Sequence, residues 1–426
     1  MTIAVFLFSL LGCMAIGMPV AYSLLLCGVA LMYHLGIFEP QIIAQNLISG
    51  ADSFPLMAVP FFMLAGEIMN TGGLSKRIVN VALALVGHMK GGLGYVAVVA
   101  SCVLAALSGS AVADAAALAA LLVPMMVRAG HSKATSAGLV AAGGIIGPII
   151  PPSIGFIIFG VAANLSISKL FLAGIFPGIM IGVGLAIAWW WVSHKEQIAP
   201  LPRKSAKEVI HSLVDGVWAL ILPGIIIFGL KFGIFTPTEA AVVCAVYALF
   251  VAMFIYRELK WHQLYAVFVT AAKTTAIVMF LVAAALVSSW LITVAQLPAQ
   301  IVALLEPFMG SQMMLMIAMM VLVVIVGTAL DMTPTILILT PVLMPIVLKA
   351  GIDPIYFGVL FIINNSIGLI TPPVGVVLNV VCGVSKISMD DIIKGVWPFM
   401  IAELIVLAIM ILFPWTVTVP ASWFHP

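Results

Sequence analysis

The sequence predicts an all-α polytopic membrane protein built from two repeats of inverted topology, each holding a re-entrant hairpin and a broken helix. Three observations predict it: a composition that lipid must solvate, an internal repeat at an offset of 221 residues, and paired glycine and proline interruptions inside each repeat.

Of 426 residues, 64% are hydrophobic and 8% charged, against roughly 45–50% and about 25% in a soluble domain. Too few polar side chains exist to cover a water-facing surface. A net charge of +2 supplies no basic patch, so an ordinary soluble enzyme and a nucleic-acid binder are both excluded. The five cysteines (Cys13, Cys27, Cys102, Cys244 and Cys382) lie in apolar runs without CxxC spacing and read as small hydrophobes. The seven histidines form no HExxH pattern. The opening MTIAVFLFSLL lacks the basic region and cleavage site of a signal peptide and reads as a first membrane helix.

A spanning helix takes about 20 apolar residues. Such runs occur near 2–34 (interrupted at Gly17-Met18-Pro19), 54–70, 74–90, 167–193, 216–233, 238–257, 275–297 and 387–414. The segment 194–208 carries Lys195, Arg203, Lys204 and Lys207 and reads as a cytoplasmic linker. Residues 205–215 and 258–274 read as short amphipathic helices at the interface. WWW at 189–191 reads as an aromatic belt, and the Met-rich run 312–320 as a packing face.

Within 91–163 and 311–383, Gly, Pro, Ser and Thr interrupt the apolar pattern. At an offset of 221, Pro124 meets Pro345, Gly130 meets Gly351, Gly147 meets Gly368, and Pro151-Pro152 meet Pro372-Pro373; Gly174 meets Gly395 and Pro177 meets Pro398. These are seven Gly or Pro identities, where the composition gives about 0.6 by chance. Four spans lie between the two Pro-Pro segments, and an even number makes the repeats antiparallel, an arrangement typical of secondary transporters. Charge agrees: Lys90, Arg128 and Lys133 flank the first unit, whereas only Lys349 flanks the matching ends of the second.

The division that follows is 1–90 (scaffold and arm helices), 91–166 (hairpin 91–127, broken helix 131–163), 167–310 (scaffold, linker and arm), 311–386 (hairpin 311–348, broken helix 354–383) and 387–426 (a last scaffold helix and tail). The interruptions are SGSAVAD (108–114), GPIIPPS (147–153), GTALDMTP (327–334) and GLITPP (368–373). Proline ends a helix and frees carbonyls, and such groups cost several kcal/mol each in hydrocarbon unless buried or bound. A single break is ordinary packing. Four matched breaks with hydroxyls point to an oxygen cage for Na⁺ and to helix N-termini able to hold an anion.

Asp114 and Asp331 each follow a hairpin break; they are 217 residues apart, which implies a four-residue difference between hairpins. Each either caps its helix or tunes a bound charge. Glu67, Glu239, Glu306 and Glu403 read as interfacial or paired with Lys and Arg. Asn364, Asn365 and Asn379 carry amide oxygens able to ligate an ion or bridge helices.

At these residues the sequence resembles a family, the large membrane subunit of tripartite ATP-independent periplasmic (TRAP) transporters. FPLMAVPFFMLAGEIM (54–69), ALSGSAVADAAALA (106–119), GGIIGPIIPPSIGFIIFG (143–160), FTPTEAAVV (235–243), GTALDMTPTILILTPVLMPI (327–346) and NNSIGLITPPVGVVLNV (364–380) carry the resemblance over almost the full length. It implies an elevator transporter with an ion-transporter-superfamily-like fold: a Na⁺-coupled importer of an organic acid anion in the bacterial inner membrane. In overall wording the sequence is most similar to the sialic-acid branch, with C4-dicarboxylates as the alternative.

The resemblance places one Na⁺ site at Ser108, Gly109, Ser110, Gly147, Pro151 and Ser153, and a second at Gly327, Thr328, Met332, Thr333, Gly368 and Thr371. Asp114 and Asp331 match functionally important acidic positions. Pro152, Ser166, Asn364, Asn365 and Pro372 are further candidate contacts. The resemblance implies no cofactor beyond Na⁺ as coupling ion. The implied partners are a small four-helix membrane subunit and a periplasmic substrate-binding protein. Two rival readings are an intramembrane aspartyl protease using Asp114 and Asp331 as a dyad, though GxGD is absent, and a passive channel.

Overall fold

The computed structural model describes residues 2–194, 198, 200–297 and 310–424, and all regular structure among them is helical. Nine helical segments among these residues are long and apolar enough to cross a membrane. The first repeat opens with α1 (Thr2–Ala15) and α2 (Val20–Leu35). Gly17, at φ +84°, makes the sharp turn between them, and Pro19 starts α2, as the Gly-Met-Pro interruption predicts. Next come α3 (Pro40–Ala51), a 3₁₀ turn at Phe54–Met57, α4 (Ala58–Thr71) and α5 (Leu74–Val86). The sequence reading left α3 out, because its twelve residues are too few to span.

The first hairpin is α6 (Gly92–Ser108) and α7 (Ala111–Arg128), and the first broken helix is α8 (Lys133–Gly144) and α9 (Ile154–Ala162). Then follow α10 (Ile167–His194), α11 (Ala206–Lys231), α12 (Pro237–Phe250, continued by a π turn at Val251–Ile255) and α13 (Trp261–Val294). The second hairpin is α14 (Gln312–Ala329) and α15 (Met332–Lys349), and the second broken helix is α16 (Pro354–Gly368) and α17 (Val376–Ser385). Helices α18 (Met389–Leu412) and α19 (Trp415–Phe424) close the chain.

The 221-residue offset runs through the hairpins unchanged: α7 begins at Ala111 and α15 at Met332, and α7 ends at Arg128 and α15 at Lys349. From the tip to the end of the second helix the hairpins therefore match residue for residue, which corrects the inferred four-residue difference. Asp331 corresponds to Ser110 and Asp114 to Thr335, so the two aspartates are not equivalent positions. Packing is reciprocal: α9 lies on α15 and α17 on α7, while α18 lies on α8 and α10 on α16. Exchange of that kind is what a two-fold relation between units produces.

Two expected interfacial helices are instead the first turns of longer ones. Residues 205–215 open α11, where Ser205 and Glu208 form a capping box, and 258–274 contribute to α13. At 1.5 Å per residue, the 34 residues of α13 reach about 51 Å, beyond a hydrocarbon core of about 30 Å. Its polar end is the extension of a membrane helix.

Trp189 also departs from expectation. It is fully buried, donates from Nε1 to the Gly91 carbonyl at 2.7 Å, stacks on Phe399 and meets the His131 ring at a tilt. Gly94 gives its ring room, since a Cβ there would collide with the indole. Trp190 alone in the triplet's neighbourhood shares with Trp191 the exposure a belt requires, both at 56%. Met316, Met319 and Met320 turn inward from α14, giving the packing face expected there.

The acidic residues sort differently from the reading of them as interfacial or salt-bridged. Glu239 closes a capping box with Thr236. Glu403 falls on the apolar stripe of α18 with Val396, Phe399, Met400 and Met410; it is fully buried, and neither carboxylate oxygen has a partner among the described residues. Ion pairing among the described residues is confined to Arg77, which reaches Glu258 at 2.7 Å and Asp215 at 3.3 Å and lies over the Tyr256 ring. Glu67 is half-buried in α4. Glu306 and Lys195 lie outside the described residues.

Candidate ion and substrate site

Each hairpin tip meets the break of its own repeat. In the first, Gly109 adopts φ +65°, and a Cβ there would collide with the Pro152 carbonyl. Ser108 donates to Asp114 Oδ1 at 2.5 Å and accepts from the Ser110 amide at 3.2 Å. Ser110 caps α7 through the Ala113 amide, and Ser153 caps α9 through the Phe156 amide at 3.1 Å while donating to the Pro148 carbonyl. Asp114 is 4% exposed, and its Oδ2 has no hydrogen-bond partner among the described residues. That oxygen faces Gly147: a Cβ there would stand 2.6 Å from it and 3.1 Å from the Ser110 carbonyl oxygen.

The structure thus brings Ser108, Ser110 and Gly147 to Asp114, and Gly109 against the Pro152 carbonyl next to Ser153. Pro151 lies buried in the same break. Oxygen-rich, buried and with one carboxylate oxygen left over, the cluster fits a hard cation.

The second tip is built from different groups. Gly327 and Gly368 touch, a Cβ on Gly368 falling 2.8 Å from the Gly327 carbonyl carbon. Asn365, fully buried, donates to the Met332 carbonyl at 3.2 Å, and its Oδ1 has no partner among the described residues. That amide oxygen is the leftover group here, in the place Asp114 Oδ2 takes in the first site. Thr371 donates to the Ile367 carbonyl at 2.8 Å and Thr328 to the Ile325 carbonyl at 2.7 Å, so both hydroxyl protons serve their own helices. Asn364 bonds across to the Met320 carbonyl and ties α16 to α14. Ser166 lies exposed at the start of α10, accepting from the Lys169 amide, and Pro372 is half-buried in the second break. Asn379 donates to the Val374 carbonyl. Both Pro151-Pro152 and Pro372-Pro373 are cis.

Between the two tips lies a cavity of about 390 Å³. The starts of three helices line it: Ala111, Val112 and Ala113 of α7, Ile154 and Gly155 of α9, and Met332 and Thr333 of α15. The caps on α7 and α9 take one amide each, leaving those of Ala111, Val112, Ile154 and Gly155 without intrahelical partners. Helix N-termini carry about half a positive charge each, a setting that suits an anion. Asp331 also lines the cavity, and its carboxylate makes no capping hydrogen bond. The far wall is Met63 of α4 and Thr274, Ile277 and Val278 of α13. Sequence reasoning missed this wall; its sole signal was the Thr274-Thr275 pair inside an apolar run.

Among the described residues, nine membrane-length helices and two hairpin tips meeting at a largely apolar cavity edged by helix starts define a multi-pass membrane protein. The chain belongs to the tripartite ATP-independent periplasmic transporter DctM component family, whose model matches residues 7–416. It is 57% identical to the 2,3-diketo-L-gulonate TRAP transporter large permease protein of Escherichia coli over 100% of both chains. It is 37% identical to the sialic acid TRAP transporter large permease protein of Vibrio cholerae, covering 96% of each. It is also 37% identical to the C4-dicarboxylate TRAP transporter large permease protein of Pseudomonas aeruginosa, covering 89% of each. In fold it is similar to the YdaH transporter of Alcanivorax borkumensis, with a TM-score of 0.63, 14% identity and 88% of each chain covered. Its relatives are permeases, so the chain is a transport protein of the bacterial inner membrane and not an enzyme.

Proposed function

We propose that the chain is the translocating subunit of a Na⁺-coupled importer of an organic acid anion. The observation that carries this reading is the convergence of three helix starts on one cavity, flanked by two buried oxygen clusters, each with an unpaired oxygen. Ser108, Ser110, Gly147 and Asp114 would hold one Na⁺, and Gly327, Gly368 and Asn365 the second. The cavity holds the substrate carboxylate against the amides of α7 and α9.

The hairpins and broken helices carry the substrate past α4 and α13, which act as the fixed wall of an elevator. A small membrane subunit and a periplasmic binding protein complete the system, as the family's tripartite character implies. The sequence wording favours sialic acid. The 57% identity to a 2,3-diketo-L-gulonate permease favours a smaller sugar acid, and a C4-dicarboxylate is the second reading, favoured by the Pseudomonas relative.

The test uses the complete complex in proteoliposomes. Labelled 2,3-diketo-L-gulonate, N-acetylneuraminate and succinate are offered in turn under an inward Na⁺ gradient. One of them accumulates, and only with Na⁺ outside. Equal uptake in K⁺-only buffer overturns the coupling.

A further inference from the structure

We propose that Asp331 selects among organic anions, accepting hydrogen bonds from substrate hydroxyls and turning away a second carboxylate, so that the site takes polyhydroxylated monocarboxylates. The proposal rests on the reading of the cavity as the anion site.

Asp331 holds the position that Ser110 holds in the first repeat, immediately before the first residue of the hairpin's second helix. Ser110 spends its side chain on a cap, bonding the Ala113 amide. Asp331 does not: the residue is exposed, and its carboxylate makes no capping bond. Asp114, the other hairpin carboxylate, is sealed at 4% exposure and tied to Ser108. One carboxylate is thus committed to the buried oxygen cluster and the other is presented to the cavity.

Charge balance then limits the substrate. Among the described residues no Lys, Arg or His lines this cavity or the adjoining space of about 490 Å³ between α2 and α13, and Asp331 lines both. The two Na⁺ proposed above offset Asp331 and Asp114, the latter in the first turn of α7, and leave the three helix starts, together worth about one and a half positive charges. That holds one substrate carboxylate. A second would have no cationic side chain to meet and would share the cavity with the Asp331 carboxylate.

A carboxylate accepts hydrogen bonds and donates none, so its complement is a donor on the substrate. The hydroxyl of a sugar acid supplies one. The adjoining space offers the Tyr22–Phe280 pair, ring centroids 5.2 Å apart, as an apolar wall for the far end of a longer molecule.

The test keeps the periplasmic binding protein from filtering the ligands. Complete complex in proteoliposomes takes up labelled 2,3-diketo-L-gulonate at saturating external Na⁺, while D-gluconate or succinate is loaded inside. In the wild type, internal D-gluconate slows uptake at about one-tenth the concentration that succinate needs, as expected for hydrogen bonds to a charged group. Asp331→Ser, which installs the residue of the first repeat, brings the two within about threefold. Asp331→Glu keeps the charge, so succinate stays weak. The proposal is overturned if the wild type prefers succinate, if Asp331→Ser leaves the ratio unchanged, or if Asp331→Glu admits succinate as the Ser variant does. A wild type without Na⁺-driven uptake of any organic anion overturns the cavity reading itself.

Discussion

Replacing Asp114 with Asn removes a charge while keeping the shape of the side chain. The carboxylate is 4% exposed, with Oδ1 held by Ser108 at 2.5 Å and Oδ2, beside Gly147, without a partner among the described residues. A unit-charge pair at 4 Å is worth about 4 kcal/mol at an effective dielectric of 20. The Asn oxygen and the surrounding carbonyls keep part of that, leaving a net loss of about 2.7 kcal/mol. At 1.4 kcal/mol per tenfold, the Na⁺ concentration for half-maximal uptake rises about a hundredfold. Two assays read it: Na⁺ titration of proteoliposome uptake, and the Na⁺-induced rise in Tm of the purified complex without substrate, which follows binding alone. Wild-type and Asp114→Asn curves that superimpose in both would refute the assignment and leave Asp114 as a tether for the hairpin tip.

Ser108→Ala removes one bond to Asp114 and one to the Ser110 amide, and raises the half-maximal Na⁺ concentration about tenfold in the same titration. Thr371→Ala changes it less than about threefold, because the hydroxyl lies between the Ile367 carbonyl and the Met400 sulfur; a larger shift assigns Thr371 to the ion. Gly109→Ala places a methyl group against the Pro152 carbonyl at φ +65°, and uptake falls below detection while the protein still reaches the membrane. Trp189→Phe removes the indole bond to the Gly91 carbonyl, which keeps the Gly94 amide at 3.0 Å, at a cost of about 0.5–1.5 kcal/mol, seen as a lower Tm with unchanged Na⁺ dependence.

The helix breaks were legible because Gly and Pro act locally: Gly17 and Gly109 follow directly on the ends of α1 and α6, and Pro151 and Pro372 lie inside the breaks after α8 and α16, where a helix cannot resume. The repeat was legible for the same reason, its identities being those helix breakers. Pairing Asp114 with Asp331 failed because chemical likeness was followed in place of position; the offset puts Asp331 opposite Ser110. Trp189 and Glu403 were misread because helical phase decides burial, and in α10 and α18 both faces are apolar enough to hide it. The cavity wall from Met63 and Thr274 is a tertiary fact, made by α4 and α13 meeting two hairpin tips distant in the chain. Asn365, one residue among several candidate amides, stands out once its unpaired oxygen is seen against Gly327.

The unequal contributions of the two repeats give the cavity a polarity. Two identical halves would build a chamber whose sides are interchangeable, able to accept a ligand either way round. Here one half supplies two helix starts and a serine, and the other supplies one helix start and an aspartate. A lopsided molecule entering that chamber has a head and a tail defined by the protein, so every passenger is oriented the same way before anything moves.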